Sequence, residues 1–242
     1  MAAKTKFSDD WNLREHGPLE QLADNLWWVS GAIPDMSLRR NMVLARRTDG
    51  TLVNHNAIAM REEVQSELEA LGDPAFLIVP NGWHRLDAAA YKKRYPKLRV
   101  FAPRGSRKKV EQTVAVDGGY EEFPADEAVR LETLHGMKDV EGAMIVTSSD
   151  GTTVVLNDAV FNMDKKKDFF GRLFTTVLGS APGPRISRLM KLLAIKDQAA
   201  FRADLERYAE LPDLQRFIVA HEKCAQGPEA RAALLKAATY LR

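Results

Sequence analysis

Residues 75–87, Ala-Phe-Leu-Ile-Val-Pro-Asn-Gly-Trp-His-Arg-Leu-Asp, constrain the fold more than any other part of this chain. The unbroken apolar run 75–79 has the length and composition of a strand buried on both faces. Pro80 ends it, because proline has no amide hydrogen to continue a ladder. Asn81-Gly82 permits a sharp turn, and Asp87 is placed to cap a helix over residues 88–95. His84 is therefore expected in a short loop beyond the C-terminal end of a central strand. Open α/β sheets carry their chemistry at such ends.

The rest of the chain supplies similar units. Residues 26–29 read as a short strand that breaks near Gly31 and Pro34. Residues 41–46 and 51–53 are apolar runs joined through Asp49-Gly50, a hairpin signal. Val64, Leu68 and Leu71 mark one face of a helix that stops at Gly72. Further strands are expected at 98–102, 129–134 and 217–220, with a second hairpin, 143–147 and 152–156, joined through Asp150-Gly151. The two hairpins share the order strand, Asp-Gly, strand, Asn, which suggests an internally duplicated β-α plan. Helices are expected at 106–113, through Phe201, Leu205 and Tyr208, and after Gly227-Pro228. Residues 1–25 read as a surface N-terminal segment, and 164–195 as an insertion of short helices and loop. A single domain over 1–242 accommodates all of this.

Composition excludes several classes. A net charge of +2 is too mild to imply nucleic-acid binding. Cys224 is the only cysteine, so an internal disulfide framework and a thiolate zinc cluster are ruled out. No run approaches a membrane span, and the first residues lack the apolar centre of a signal peptide, so a cytoplasmic protein is the simplest expectation.

His55, His84, His135, Asp158 and His221 each follow a predicted strand; of the five histidines only His16 does not. Imidazoles with a carboxylate suit zinc or another divalent metal such as manganese or iron, and three such ligands with an open position suffice for catalysis. The alternative for each histidine is a hydrogen-bonded loop residue. Trp83, Asn81 and His55 are the candidate substrate-side residues: Trp83 as a pocket wall or platform, Asn81 as a hydrogen-bonding group, and His55 against the backbone beneath the site. Glu141 reads as an exposed loop charge, with orientation of His135 as the alternative. Cys224 reads as a small buried hydrophobe. Lys165-Lys166-Lys167 before Phe169-Phe170 reads as a solvated charge run beside core aromatics, with contact to anionic lipid or phosphate as the alternative. Arg39-Arg40 and Arg46-Arg47 are either exposed or serve an anionic small-molecule substrate.

Taken together, Val53-Asn-His55, Val79-Pro-Asn-Gly-Trp-His84, Tyr95-Pro96, Val100-Phe-Ala-Pro103, His135-Gly136, Asn157-Asp158, Lys196-Asp197 and Val219-Ala-His221 resemble the metallo-β-lactamase superfamily, in particular a divergent branch catalogued as a domain of unknown function. The resemblance implies an α/β fold, a four-layer αβ/βα sandwich with a metal site along one edge. The superfamily's His-x-His-x-Asp-His motif is degenerate here: with His84 on its last position, the preceding ones fall on Val79, Asn81 and Trp83. An alternative register would bring Asp87 into the site. The resemblance leaves a mononuclear site, with His84, Asp158 and His221 as ligands and His135 nearby. It implies a metal-dependent hydrolase of an ester or phosphoester, using metal-bound water or hydroxide, with His84 and Asp158 as the catalytic residues. Two alternatives stay open: a non-catalytic binding or scaffold protein that has lost its metal site, and metal-free acid-base hydrolysis by His84 with Asp87 or Asp158.

Overall fold

Residues 8–242 are described by the structure, a computed structural model. Residues 1–7, the beginning of the expected surface segment, lie outside the described residues. The first half contains β1 (Glu20–Ala23), β2 (Leu26–Ile33), β3 (Met36–Arg46), β4 (Leu52–His55), α1 (Glu62–Leu71), β5 (Pro74–Ile78), α2 (Ala88–Arg94), β6 (Arg99–Phe101) and α3 (Arg104–Val110). The second contains β7 (Val129–Thr133), β8 (Gly142–Ser148), β9 (Gly151–Val155), α4 (Phe169–Arg172), α5 (Arg188–Leu193), α6 (Gln198–Ala209), β10 (Leu214–Ile218), β11 (Ala225–Gln226) and α7 (Pro228–Ala238).

The strands form two mixed sheets, in the orders β1-β2-β3-β4-β5-β6 and β11-β10-β9-β8-β7. Both expected hairpins are present: β3 pairs antiparallel with β4, and β8 with β9. Each hairpin's second strand then pairs parallel with the next strand, β4 with β5 and β9 with β10. The C-terminal ends of β4, β5, β9 and β10 therefore carry the candidate residues His55, His84, Asp158 and His221, while His135 follows β7.

Side-chain alternation builds the layers. On β3, Val43 and Ala45 face the second sheet, where they meet Met144, Val146, Val155 and Ile218. Met42 and Leu44 face the other way, against Val64 and Leu68 of α1 and Tyr91 of α2. In the second sheet Ile145, Val154 and Phe217 turn outward onto Phe201 and Leu205 of α6 and Ala233 and Leu234 of α7. The order is helices, sheet, sheet, helices: the expected four-layer α/β sandwich. Each fully buried Val, Ile or Phe in these layers contributes about 1.5–3 kcal/mol of transfer free energy.

Three local expectations differ. β2 runs through Gly31 to Ile33, and the chain turns at Pro34-Asp35, where Asp35 takes a positive φ of 62°. Gly31 serves close packing there, since a Cβ would lie 3.1 Å from Ile58 Cδ1. Residues 8–25 do not merely cover the surface. Trp11 packs against Tyr91 with tilted rings 5.1 Å apart, its indole N–H donates to Met60 O (2.8 Å), and β1 pairs with β2. Asp87 stands at the start of α2 without capping it through its side chain. Its carboxylate instead pairs with Arg40 and with Arg14 (3.0 Å) and accepts from Ala59 N (3.0 Å). Two cations and an amide outcompete the helix terminus.

Candidate metal centre

The loop after β5 is shaped by one side chain. Asn81 Oδ1 accepts from Trp83 N (2.8 Å) and His84 N (3.1 Å), folding the chain back after Pro80. Its amide Nδ2 donates to Asp158 Oδ2 (2.9 Å) and reaches Glu141 Oε2 at 3.3 Å. Asn81 thus links the turn that carries His84 to the carboxylate of the other sheet.

Asp158 is held from the opposite side. The fully buried Glu141, just before β8, accepts from three successive amides, Asn157 N (2.8 Å), Asp158 N (2.9 Å) and Ala159 N (2.8 Å). The loop after β10 is tied to the first sheet through Asn41, whose N donates to Ala220 O (2.7 Å) and whose Nδ2 donates to Val219 O (2.9 Å). This brings His221 beside His84, with ring centroids 5.2 Å apart.

His84, Asp158 and His221 converge. His84 Nε2 lies 3.1 Å from the Asp158 carboxylate and His221 Nε2 lies 3.2 Å from Asp158 Oδ1. One donor atom from each residue falls within 4.8 Å of the others, and no other group of three His, Cys, Asp or Glu does so among the described residues.

The outer nitrogens define which proton goes where. His221 Nδ1 donates to the Arg39 carbonyl (2.9 Å), an obligate acceptor. His84 Nδ1 faces Asn56 Oδ1 (3.2 Å); Asn56 Nδ2 donates to Asn41 O (2.7 Å), which fixes the amide and leaves its oxygen as the acceptor. Both imidazoles therefore carry their proton on Nδ1 and direct the Nε2 lone pairs toward a carboxylate, itself acceptor-only. Three lone-pair donors facing one another repel unless a cation lies among them, either a proton or a metal ion. Ligands about 2.0–2.2 Å from one tetrahedral ion sit about 3.3–3.6 Å apart, close to the two imidazole–carboxylate separations here. The donor set, two neutral imidazoles with fixed tautomers and one carboxylate, fits a divalent metal.

The electrostatics agree with that fit. Burial pushes the His84 pKa down and outweighs the attraction of Asp158, favouring the neutral ligand form. Burial alone would raise the Asp158 carboxyl, but positive charge on the His84 and His221 rings more than offsets it and holds the group ionised, below the usual carboxylate range; with both rings neutral, that positive charge is the bound cation's to supply. Glu141 shifts the opposite way, raised by burial and by the Asp158 charge against the pull of its amide partners.

A cavity of about 220 Å³ opens over the cluster. Its walls are mainly apolar, with Leu38, Leu86, Phe161, Phe174, Leu178 and Met190 prominent, and Trp83, 46% exposed, stands at the rim. Phe161 stacks parallel to the His221 ring at 5.9 Å. The charged wall residue Arg40 is already engaged, by Asp87 and by Ala57 O (3.0 Å).

Several expected site residues fall elsewhere. His135 is not brought to the cluster. It is 73% exposed, bonds through Nδ1 and its backbone N to Asp204 of α6 (3.0 and 2.6 Å), and lines a separate depression with Glu132 and Arg207. Glu141 accordingly orients the Asp158 turn and not His135. His55 is buried between the sheets and absent from the cavity wall, contrary to a substrate-side role; burial and the nearby His84 lower its pKa to about 3. Asp87 belongs to the Arg40 ion pair and forms no acid-base pair with His84. Cys224 is half-buried, and burial raises its thiol to about 11. Sequence reasoning missed Asn56 and the Arg39 carbonyl, which set the tautomers. The one available signal was the polar Asn56 beside His55 at a strand end. Among the described residues no helix is long and apolar enough to cross a membrane.

Comparison of the sequence with protein-family models and with curated proteins finds no match. Solved structures do match. A metallo-β-lactamase from Erythrobacter litoralis, crystallised with β-mercaptoethanol in its active site, is 15% identical, with a TM-score of 0.60 over 92% of this chain and 96% of that one. The DIM-1 metallo-β-lactamase exposed to ceftazidime is 11% identical, with a TM-score of 0.61 over 93% and 99%. At these identities the likeness speaks to architecture, and it agrees with the layers and sheet orders above: this chain has the metallo-β-lactamase fold.

Proposed function

We propose that this protein is a metal-dependent hydrolase of an ester or phosphoester, with a mononuclear site formed by His84, Asp158 and His221. The observation that carries the reading is the pair of Nε2 lone pairs turned onto one ionised carboxylate by acceptors behind each ring. Zinc is the first choice for such a donor set, with manganese or iron as alternatives. When bound, the ion supplies a lowered water pKa, near 7, and polarisation of the scissile group.

The chain's own residues would do the rest. Asn81 fixes one oxygen of Asp158 and stops the carboxylate from rotating, so the other remains between the two imidazoles. Asp158, kept ionised, is the group positioned to take a proton from an attacking water. Phe161, Phe174 and Leu178 limit bulk water at the cluster. The cavity favours a substrate with an apolar acyl or aryl group over a small anion, because Arg40 is already neutralised by Asp87. Asn81 occupies an oxygen of Asp158 on the side where a second ion would need a ligand, which supports one ion and not two.

An aryl-ester and aryl-phosphoester panel tests the reading. Turnover is expected, abolished by chelator, restored by zinc or manganese, and lost in His221→Ala. Turnover that survives complete metal removal would overturn it. Absence of both metal and turnover, with ligand binding retained, would favour the non-catalytic binding protein.

A further inference from the structure

The 164–195 segment presents apolar side chains where a helix normally presents polar ones. From α4 the chain continues as a π-helical turn (Leu173–Val177). Phe174 and Leu178 point into the cavity, while Leu173 and Val177, four residues apart, are 44% and 57% exposed. α5 repeats the arrangement: Met190 is buried against the cavity and Leu192 is 75% exposed. The two pieces are neighbours, since Arg188 N donates to Leu178 O (2.9 Å). Isolated exposed leucines need no explanation; several on adjoining turns around one cavity mouth do.

Charge identifies the occupant. Residues 164–195 hold seven Lys or Arg against two Asp, so the remainder of the chain holds 28 Lys or Arg against 31 Asp or Glu. The segment therefore carries the whole positive excess of the protein. Lys165, Lys167 and Arg172 line a shallow depression beside Thr176, and none is in a salt bridge among the described residues. A second copy meeting this face with its own would set like charges together. Apolar side chains interleaved with basic ones match an anionic lipid surface, which accepts leucine and valine into its acyl boundary and draws lysine and arginine to its headgroups.

We propose that the 164–195 segment docks the protein on an anionic lipid surface, with the apolar cavity opening toward that surface. Docking is independent of hydrolysis and is read without turnover, so its failure would leave the hydrolase reading untouched. The test is co-sedimentation of the full chain with vesicles of phosphatidylcholine alone, or with an equal part of phosphatidylglycerol. Binding to the anionic vesicles should exceed binding to the neutral ones by about tenfold or more and fall with salt. The variant Leu173→Ser, Val177→Ser, Leu192→Ser and, separately, Lys165→Glu with Lys167→Glu should each lose about tenfold or more; these positions are exposed, and unchanged circular dichroism and thermal midpoints check folding. Equal partitioning of wild type and both variants, or no binding by the wild type, overturns the proposal. So does self-association by sedimentation velocity that the serine variant abolishes without any change in vesicle binding.

Discussion

Glu141→Gln is the perturbation most informative about how the site is built. Glu141 contributes no ligand, yet its two oxygens accept three backbone amides from residues 157–159, and Oε2 also faces Asn81 Nδ2. Glutamine preserves the shape and one acceptor, so Asn157 N and Ala159 N can keep their partner on the Oε1 side. The new amide then confronts Asp158 N and Asn81 Nδ2, donor against donor, in a fully buried place. Leaving buried donors unsatisfied costs about 1–3 kcal/mol each, so a loss of about 2–5 kcal/mol is expected once some relaxation is allowed. Because the turn sets where the Asp158 carboxylate points, metal affinity should also fall by about 10–100-fold, the range for partners of ligands. Urea unfolding at pH 9, where Glu141, its pKa raised to about 8, is ionised, gives the first quantity, and competition with a chromophoric chelator at the same pH gives the second. A variant within about 0.5 kcal/mol of wild type and of equal metal affinity would refute the argument that Glu141 holds the Asp158 turn.

Three further outcomes follow. His135→Ala should leave metal content and turnover unchanged and act only on stability, through the Asp204 contact; loss of bound metal would contradict the placement of His135. His55, with a folded pKa near 3 against about 6.5 unfolded, stays neutral in the native state while the unfolded chain takes up a proton. Stability contributed above pH 6.5 should therefore be lost as pH falls toward 3, by about 2 kcal/mol at pH 5, and His55→Leu should remove that part of the profile; an identical pH profile in the variant would contradict it. The Cys224 thiol, raised to about 11, should react with iodoacetamide at pH 8 far more slowly than a free cysteine; rapid labelling of folded protein would show otherwise.

Much of the fold was legible because its strands are short apolar runs punctuated by Asp-Gly, Pro-Asn-Gly and Gly. The two Asp-Gly hairpins, the strand expected at 75–79 and the helices on Leu68 and Leu205 lie where the pattern puts them, whereas the last strand, expected at 217–220, starts earlier at Leu214 and ends at Ile218. The site was legible in part. His84, Asp158 and His221 follow strands that pair in parallel inside each sheet, with a neighbour on both sides, and these ends meet. His135 follows β7, an edge strand, and ends against α6. The sequence marks both situations the same way, because a strand's place in its sheet is decided by pairing and not by local composition. The fate of Asp87 was hidden for a similar reason. Its partners, Arg40 and Ala59, are remote in sequence, and burial with them outweighs the local preference for a helix cap. The tautomer-setting acceptors were hidden most completely, since one is a backbone carbonyl, which no residue type announces.

The metal centre depends on two imidazoles presenting Nε2 to a shared cation, and long-range proton–nitrogen NMR of the histidine rings tests that directly. The Nδ1–H tautomer is expected for His84 and His221, with both Nε2 signals moving when one equivalent of zinc is added and that of His135 unmoved. Nδ1 lone pairs on the two rings, or Nε2 signals indifferent to zinc, would contradict it.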